Sequence, residues 1–298
     1  MYRRGPGAFA YPARGGYYGR RRDAYHDQQV IRLILALVQQ ILMMEQKPPV
    51  TLALGAINVL AYLKPSSLSD VLPRIPSTRS GCLQPAKILF GGQWSRLLWS
   101  PFLHQDDLHL YYNMASLLWK GSIIEPFMGS LGFAALILEL LLLTGLIYVG
   151  IAAGAVSTGL WFGKRAFNSC AVGFSGVLFG LKVVLNAHSP GWSSIAGFNL
   201  PTKYAAWAEL VLISIITPES SFLGHLSGIF AGLVHIYIIS RVVERVKFEY
   251  RRNAARQQQR RNNDNSTRRN GTGAASGHGS GNGGAHGGRT WGSGTWGS

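Results

Sequence analysis

The stretch that decides the fold runs from Leu131 to Ala153 and reads LGFAALILELLLLTGLIYVGIAA. Its 23 residues contain a single charged side chain, that of Glu139. A helix needs about 20 consecutive apolar residues to cross the hydrocarbon core of a bilayer. The stretch therefore predicts a transmembrane helix and, with it, a membrane protein.

Further apolar segments lie on both sides of this stretch. Some are short or contain polar groups, but together with it they predict an all-α, polytopic membrane domain of six helices over residues 48–240. Residues 31–44 are also apolar but too few to span, so they predict an interfacial amphipathic helix within 28–47, with a spanning role as the alternative. The further segments are 49–63, 107–124, 170–186, 204–216 and 222–240.

Positive charge is concentrated at the two ends of the chain. The chain carries 29 Lys and Arg against 13 Asp and Glu, a formal net charge of +16, although only 14% of its residues are charged. Residues 1–27 contribute +4 and residues 241–298 contribute +8. Both ends are polar and rich in Arg and Gly, so they predict disordered basic tails. In a typical soluble domain about a quarter of the residues are charged and they are spread along the chain, so this distribution does not fit a single soluble domain.

The charge distribution also predicts orientation in the membrane. Basic segments beside membrane helices usually stay in the cytosol, and six spans bring both termini to one side. The loop 64–96 carries five bases and one acid on the opposite side, which weakens this prediction without reversing it. The basic tails favour anionic lipid headgroups as partners. Nucleic acid is the less favoured alternative, because the tail follows a membrane helix.

Four polar side chains lie inside the predicted spans at a similar depth. They are His109, Asn113, Ser175 and His225. Polar groups are costly in a membrane, so each needs a role or a partner. The second, fourth and sixth spans all run towards the cytosol, which places these side chains near the opposite, lumenal end. The sequence therefore predicts one pocket, open to the lumenal side, in which they meet.

Glycines at four-residue spacing predict that the fourth and sixth spans pack closely. Small residues at this spacing let helix backbones approach each other. A hydroxyl on one helix can then reach an imidazole on the other. The glycines are Gly176 and Gly180 in the fourth span and Gly224, Gly228 and Gly232 in the sixth.

A serine beside an imidazole is an arrangement used for acyl transfer. Ser175 is the predicted nucleophile, and His225 is the predicted base that later protonates the leaving amine. The Ser175 N–H, the Asn113 amide and the His109 ring are candidate donors to the oxyanion. No carboxylate is placed to orient His225, so a dyad is predicted, with Phe179 holding the imidazole by stacking. Taken singly, each residue has a structural alternative, in packing or in bridging helices.

These residues resemble the motifs of the rhomboid family of intramembrane serine proteases. The resemblance covers about residues 50–240 and is closest to the endoplasmic reticulum type. The matching stretches are Gly173-Phe174-Ser175-Gly176, His225 followed by Gly228 and Gly232, His109-x-x-x-Asn113 with His104 upstream, and Trp94-Ser95-Arg96.

The resemblance implies a six-helix rhomboid bundle with Ser175 as nucleophile, His225 as base, and His109 with Asn113 around the oxyanion. It implies no metal and no cofactor. The implied substrates are transmembrane helices, and the implied location is the endoplasmic reticulum membrane. That type is associated with clearing unstable membrane proteins, which would make degradation machinery a partner of the C-terminal tail, although the tail shows no clear binding motif.

Two other functions stay open at this point. The chain could be a non-proteolytic rhomboid-like receptor or dislocation factor, but inactive relatives typically lack the serine or the histidine, and this chain has both. It could be a channel or transporter, but no inverted repeat is visible in the sequence.

Other residues in and near the spans have alternative explanations. Cys82 and Cys170 fall on the same predicted side of the membrane, so they could form a disulfide or remain free thiols. Glu139, Glu209 and Lys182 lie inside the predicted spans. Bonding between helices or snorkelling to an interface is favoured for them over a role in gating.

Overall fold

Helices form most of the part of the chain that this computed structural model describes, which is residues 16–63, 75–188, 191–195, 197–218 and 220–273. The chain divides after Arg241 into two compact units. The long helices are α1 Gly16–Met43, α2 Pro49–Leu63, α3 Asp107–Met128, α4 Ser130–Ser157, α5 Ser175–His188, α6 Thr202–Ile216, α7 Phe222–Val234 and α8 Ser240–Gly273.

Shorter elements connect the long helices. Between α2 and α3 the chain forms helical turns at Thr78–Gly81, Pro85–Leu89, Arg96–Trp99 and Ser100–Phe102, and Gly163–Asn168 follows α4. A π-helical turn, His235–Ile239, separates α7 from α8.

Two helical stretches within the described ranges are long and apolar enough to cross a membrane. They are α4 and the stretch Phe222–Gln259. The stretches Gln28–Met43 and Pro49–Leu63 are apolar but shorter. The membrane character predicted from residues 131–153 is thus supported, whereas the arrangement with six spans stays a prediction.

The apolar core lies around α4, which packs against α3, α5 and α7. Phe133, Leu136 and Leu140 of α4 are buried there. Leu37 of α1 belongs to the same buried cluster as Leu110 and Met114 of α3. Residues 31–43 therefore pack against the helical core. Their position at the membrane interface stays a prediction.

The fourth predicted span begins later than the sequence indicates. Helix α5 starts at Ser175, five residues after the predicted start at Cys170. Backbone pairing between Ala171 and Leu83 and the positive φ of Gly173, at +113°, hold this segment out of helical geometry. Ser175 is therefore the first residue of its helix.

A short antiparallel hairpin qualifies the all-α prediction. Strand β1 (Trp192–Ile195) pairs with β2 (Phe198–Pro201), with Trp192 opposite Pro201 and Ile195 opposite Phe198. Gly197 has φ +83°, which glycine adopts at no steric cost in a tight turn. Each strand has only four residues, so the segment gave no strong strand pattern.

The structure also differs from the predicted tails. Helix α1 begins at Gly16 and α8 extends to Gly273, so residues 16–27 and 241–273 are helical where disorder was predicted. Residues 241–270 contain no glycine or proline and many good helix formers such as Arg, Gln and Glu, and this favours a helix. The remaining parts of both predicted tails, 1–15 and 274–298, lie outside the described residues.

Glu125 ties α2 to α3 and was missed in the sequence. Its carboxylate accepts hydrogen bonds from the N–H of Val50 at 2.9 Å and from the N–H and hydroxyl of Thr51, both at 2.8 Å. A fourth comes from the Ser130 hydroxyl at 2.8 Å. A carboxylate bonded to the first N–H groups of a helix satisfies groups that otherwise lack partners.

Replacing Glu125 with Ala is expected to destabilise the fold by about 3 kcal/mol or more, because buried donors on α2 lose a charged acceptor. Thermal unfolding in detergent micelles would measure the change. Glu249→Ala is the control, because its carboxylate lies at the exposed surface of α8, 3.5 Å from Arg252. Equal unfolding temperatures for the two variants would contradict the role given to Glu125.

Candidate active site

Ser175 and His225 are in direct contact across α5 and α7. The Nε2 atom of His225 lies 2.9 Å from the Oγ atom of Ser175, which is hydrogen-bond distance. His225 is buried, and Ser175 is half-buried. A hydroxyl and an imidazole at this distance can exchange a proton, which is the first requirement for a serine nucleophile.

The imidazole of His225 is held by an aromatic ring. Phe179, one turn after Ser175 on α5, stacks on it with ring centroids 4.7 Å apart and an angle of 30° between the planes. The Nδ1 atom of His225 has no hydrogen-bond partner among the described residues. Within the described ranges, Ser175 and His225 therefore form a pair, and no carboxylate bonds to the second nitrogen of the imidazole.

The backbones of α5 and α7 pack closely, and this brings Ser175 within hydrogen-bond distance of His225. A Cβ atom on Gly228 of α7 would lie 1.9 Å from the carbonyl oxygen of Gly176 on α5. One on Gly232 would lie 2.7 Å from the carbonyl oxygen of Gly180. Both distances are far below van der Waals contact, so only glycine lets α5 and α7 approach this closely.

Ser221 caps the start of α7, the helix that carries His225, and was not among the residues predicted for the site. Its hydroxyl accepts a hydrogen bond from the Gly224 N–H at 3.1 Å, and its carbonyl accepts one from the His225 N–H at 3.1 Å. A serine just before an apolar helical run is a recognised N-cap signal, so the sequence could have revealed it.

His109 lies against the backbone that leads to Ser175. A Cβ atom on Gly173 would lie 2.5 Å from the Nε2 atom of His109, so a side chain at position 173 would collide with the imidazole. The φ of Gly173, +113°, is also a region that other residues rarely adopt. These two constraints explain why glycine stands here.

Asn113 lies one turn below His109 on α3. Its amide nitrogen donates to the carbonyl oxygen of His109 at 2.9 Å. The same nitrogen lies 3.6 Å from the position that a Cβ atom on Gly173 would take. The structure thus brings both predicted oxyanion residues to the segment just before Ser175.

Helix α5 contributes a further set of donors. The N–H groups in the first turn of a helix have no partner within the helix, and the helix dipole makes this end attractive to an anion. Because α5 begins at Ser175, this residue lies at such an end. The apolar pattern predicted a helix start at Cys170, five residues earlier, and so did not indicate this helix end at Ser175.

Ser175, His225 and His109 line a cavity of about 90 Å³, and Asn113 lies outside its lining. The cavity is bounded by the segment before α5, by the start of α7 and by α4. Gln105, Thr144 and Ser220 add polar groups to its wall. A peptide carbonyl would find a nucleophile, a base and hydrogen-bond donors in this one space.

His104 is a buried neighbour of His109. Its ring meets that of His109 edge to face, with centroids 5.1 Å apart. Burial, and to a lesser degree the nearby His109 ring, lowers the pKa of His104 to about 3. His104 therefore stays neutral at pH 7 and packs behind His109, without contacting Ser175.

The buried His104 should make stability depend on pH. In the unfolded chain its pKa returns to about 6.5, so the unfolded form binds an extra proton as pH falls from there towards 3. The contribution to stability is fully present above about pH 6.5, and about 2 kcal/mol of it is lost by pH 5. The free energy of unfolding, measured at about pH 7 and about pH 5, should fall less between these pH values in His104→Asn than in the wild type. Parallel losses would contradict the assignment.

The Trp94 and Arg96 pair lies away from Ser175. Arg96 is buried and donates from Nε to Gln93 at 2.7 Å and from Nη1 to the carbonyl oxygen of Cys82 at 2.8 Å. Trp94 is 53% exposed. Neither lines the cavity, so this motif braces the loop before α3 and does not contact the candidate nucleophile.

Cys82 and Cys170 form a disulfide, a question that the sequence left open. Beside it, Leu83 and Ala171 pair through two backbone hydrogen bonds of 2.8 and 3.0 Å. The loop before α3 is thereby joined to the segment that precedes Ser175.

Glu139, Lys182 and Glu209, the charged residues singled out in the sequence, bond between elements. Lys182 of α5 and Glu209 of α6 are 2.8 Å apart. His235 and Glu139 of α4 are 2.9 Å apart. These contacts agree with the structural explanation that the sequence favoured.

Comparison with known families identifies the family of this chain. The family model described as "Rhomboid domain" matches residues 91–242, about half of the chain, and this region includes Ser175, His225, His109 and Asn113. The chain belongs to the rhomboid family. The rhomboid resemblance inferred from the motifs is therefore confirmed.

Several curated rhomboids are similar to this chain. Rhomboid-like protein 14, mitochondrial, of Arabidopsis thaliana is 42% identical over 211 residues, which cover 68% of this chain and 60% of the relative. Human rhomboid-related protein 4 is 43% identical over 190 residues, 63% of this chain and 56% of the relative. Rhomboid-type serine protease 2 of Eremothecium gossypii is 30% identical over 141 residues, 47% and 51% of the two chains. This rhomboid thus spans less than two thirds of each of these relatives.

Proposed function

We propose that this rhomboid is an intramembrane serine endopeptidase that cleaves transmembrane helices. The observation that carries the proposal is the 2.9 Å contact between Ser175 Oγ and His225 Nε2, made at the start of a helix and beside a cavity. The printed name of a more distant relative, rhomboid-type serine protease 2, agrees with it.

In the proposed reaction, Ser175 Oγ attacks the peptide carbonyl while His225 Nε2 accepts its proton. The resulting oxyanion is stabilised by N–H groups at the start of α5, with the Asn113 amide and the His109 ring nearby. His225 then protonates the leaving amine. Water attacks the acyl-enzyme, with His225 again as base, and regenerates Ser175.

The six-span topology belongs to the same proposal. The spans would be the predicted ones, with both termini in the cytosol and the cavity open to the lumenal side. The proposed location is the endoplasmic reticulum membrane. The name of the Arabidopsis relative makes mitochondria the competing outcome of a localisation experiment. Anionic lipids at the basic tails and degradation machinery at the C-terminal tail are the proposed partners.

The experiment is reconstitution of the full chain in liposomes with a protein that has one transmembrane helix. We expect two products whose masses sum to that of the substrate plus one water, with the cut inside or beside the membrane helix. Binding of the substrate without any product would contradict the protease and would favour a non-proteolytic receptor.

A further inference from the structure

The segment before Ser175 has no regular structure of its own and is held by cross-connections. Between Ser169 and Phe174 it is neither helix nor part of a larger sheet. It is joined to Cys82 by the disulfide at Cys170 and to Ser100 by a backbone hydrogen bond of 3.0 Å from the Gly173 N–H. The disulfide is the covalent one of these connections, and a reducing thiol can open it.

The two sulfur atoms of this disulfide are in different surroundings. Cys170 is exposed and lines the cavity that holds Ser175. Cys82 is fully buried. An incoming thiolate can therefore approach from the side of Cys170, and the sulfur of Cys82 becomes the leaving group.

A buried arginine stands beside that leaving group. The Nη1 atom of Arg96 lies 3.5 Å from the Sγ atom of Cys82 and also donates to the Cys82 carbonyl oxygen at 2.8 Å. A guanidinium at this distance stabilises a thiolate, and a more stable thiolate leaves faster in thiol exchange. Arg96 thus places a positive charge beside the Cys82 sulfur, on which negative charge would form during reduction.

We propose that the Cys82–Cys170 disulfide is a reducible site that controls the position of Ser175, with small dithiols or dithiol proteins as its reactants. A dithiol thiolate attacks Cys170, the bond between Cys82 and Cys170 breaks, and its electron pair passes to Cys82 as a thiolate beside Arg96. The second thiolate of the reagent then attacks the mixed disulfide, which releases the Cys170 thiolate and the oxidised, cyclic reagent. Solvent protonates the thiolates that remain.

The control of Ser175 rests on the proposed protease function, since it acts on the same nucleophile. Opening the disulfide leaves the segment 170–174 held by its backbone hydrogen bonds to Leu83 and Ser100. This segment presents the backbone of Gly173 to His109 and leads to Ser175, the first residue of α5. A misplacement of about 1 Å in such a segment can lower turnover about 100-fold. Substrate binding would change less, because the cavity wall also includes α4 and α7.

The experiment treats the purified full chain with dithiothreitol and then removes the reagent and reoxidises the protein. Free thiols are counted by maleimide mass tagging, and kcat and KM are measured on a transmembrane substrate. We expect two new thiols, a fall in kcat of about 10- to 100-fold with little change in KM, and recovery on reoxidation. The double variant Cys82→Ser, Cys170→Ser should have the low kcat of the reduced protein, and dithiothreitol should not change it.

The role of Arg96 has its own readout. Arg96→Gln should slow the appearance of thiols several-fold, whereas Lys87→Gln, which removes an exposed charge from the same loop, should not. Two thiols with unchanged kcat, or no thiols in folded protein, would overturn the proposal. If the oxidised protein cleaves nothing, the proposed protease function is wrong. The control of Ser175 by the disulfide is then tested by the rate at which a fluorophosphonate labels Ser175. A labelling rate that does not fall on reduction would overturn that control as well.

Discussion

Replacing Ser175 with Ala is expected to reduce cleavage to the uncatalysed background, a loss of at least about 1,000-fold. The substitution removes the only atom of this side chain that can bond to the substrate carbonyl. It leaves His225, Phe179 and the close contact of α5 with α7 in place. Folding should therefore be nearly unchanged, and the loss should appear in kcat and not in substrate binding.

The matched control is Ser122→Ala. Ser122 lies in α3, and its hydroxyl donates to the carbonyl oxygen of Trp119 in the same helix at 2.8 Å. Removing it deletes the same atom from a site that does not line the cavity. Initial rates on a reconstituted substrate should match the wild type in this variant. Substantial cleavage by Ser175→Ala would mean that another group performs the chemistry.

Replacing Gly228 with Val is expected to have the second largest effect. A side chain at this position would overlap the carbonyl oxygen of Gly176, which lies 1.9 Å from where its Cβ atom would stand. Backbone atoms cannot rotate away as a side chain can, so α5 and α7 must separate. Both the contact between Ser175 and His225 and the thermal stability should then be lost, with activity falling at least about 100-fold.

Gly150→Val provides the control for this prediction. Gly150 lies on α4, where an added Cβ atom meets nothing within 4 Å. A valine there should change cleavage and unfolding temperature only slightly, since it has room and stays in an apolar helix. If Gly228→Val kept both activity and stability, the close approach of the two helices would not be what brings Ser175 to His225.

Much of the site could be predicted because its signals are local in sequence. Glycines four residues apart predict close helix packing wherever the partner helix lies, and the structure brings together the helices of Gly176 and Gly228. His109 and Asn113 share one helix face by their spacing alone. The contact between Ser175 and His225 was predicted from the glycine spacing together with the similar membrane depth of the two side chains.

Features that depend on distant contacts could not be predicted in this way. Cys82 and Cys170 are 88 residues apart, and sequence gives no distance between them. Glu125 resembles an ordinary charge near a helix end, because its donors on α2 lie about 75 residues away. The late start of α5 depends on pairing between Leu83 and Ala171, which joins two loops.

Helix α8 shows a case in which the local sequence was misinterpreted. The stretch 241–270 was predicted to be disordered because it is polar and charged, but its composition also suits a helix. Low hydrophobicity indicates that a segment has no core of its own. It does not exclude a helix whose residues favour that conformation.

The central claim is that Ser175 is a nucleophile activated by His225. Its most direct test is to treat the full chain in detergent with a fluorophosphonate, digest it and locate the adduct by mass spectrometry. The account predicts one stable phosphonyl group on Ser175, and none in His225→Ala under the same conditions. An unlabelled Ser175 in folded wild-type protein, or equal labelling without His225, would contradict it.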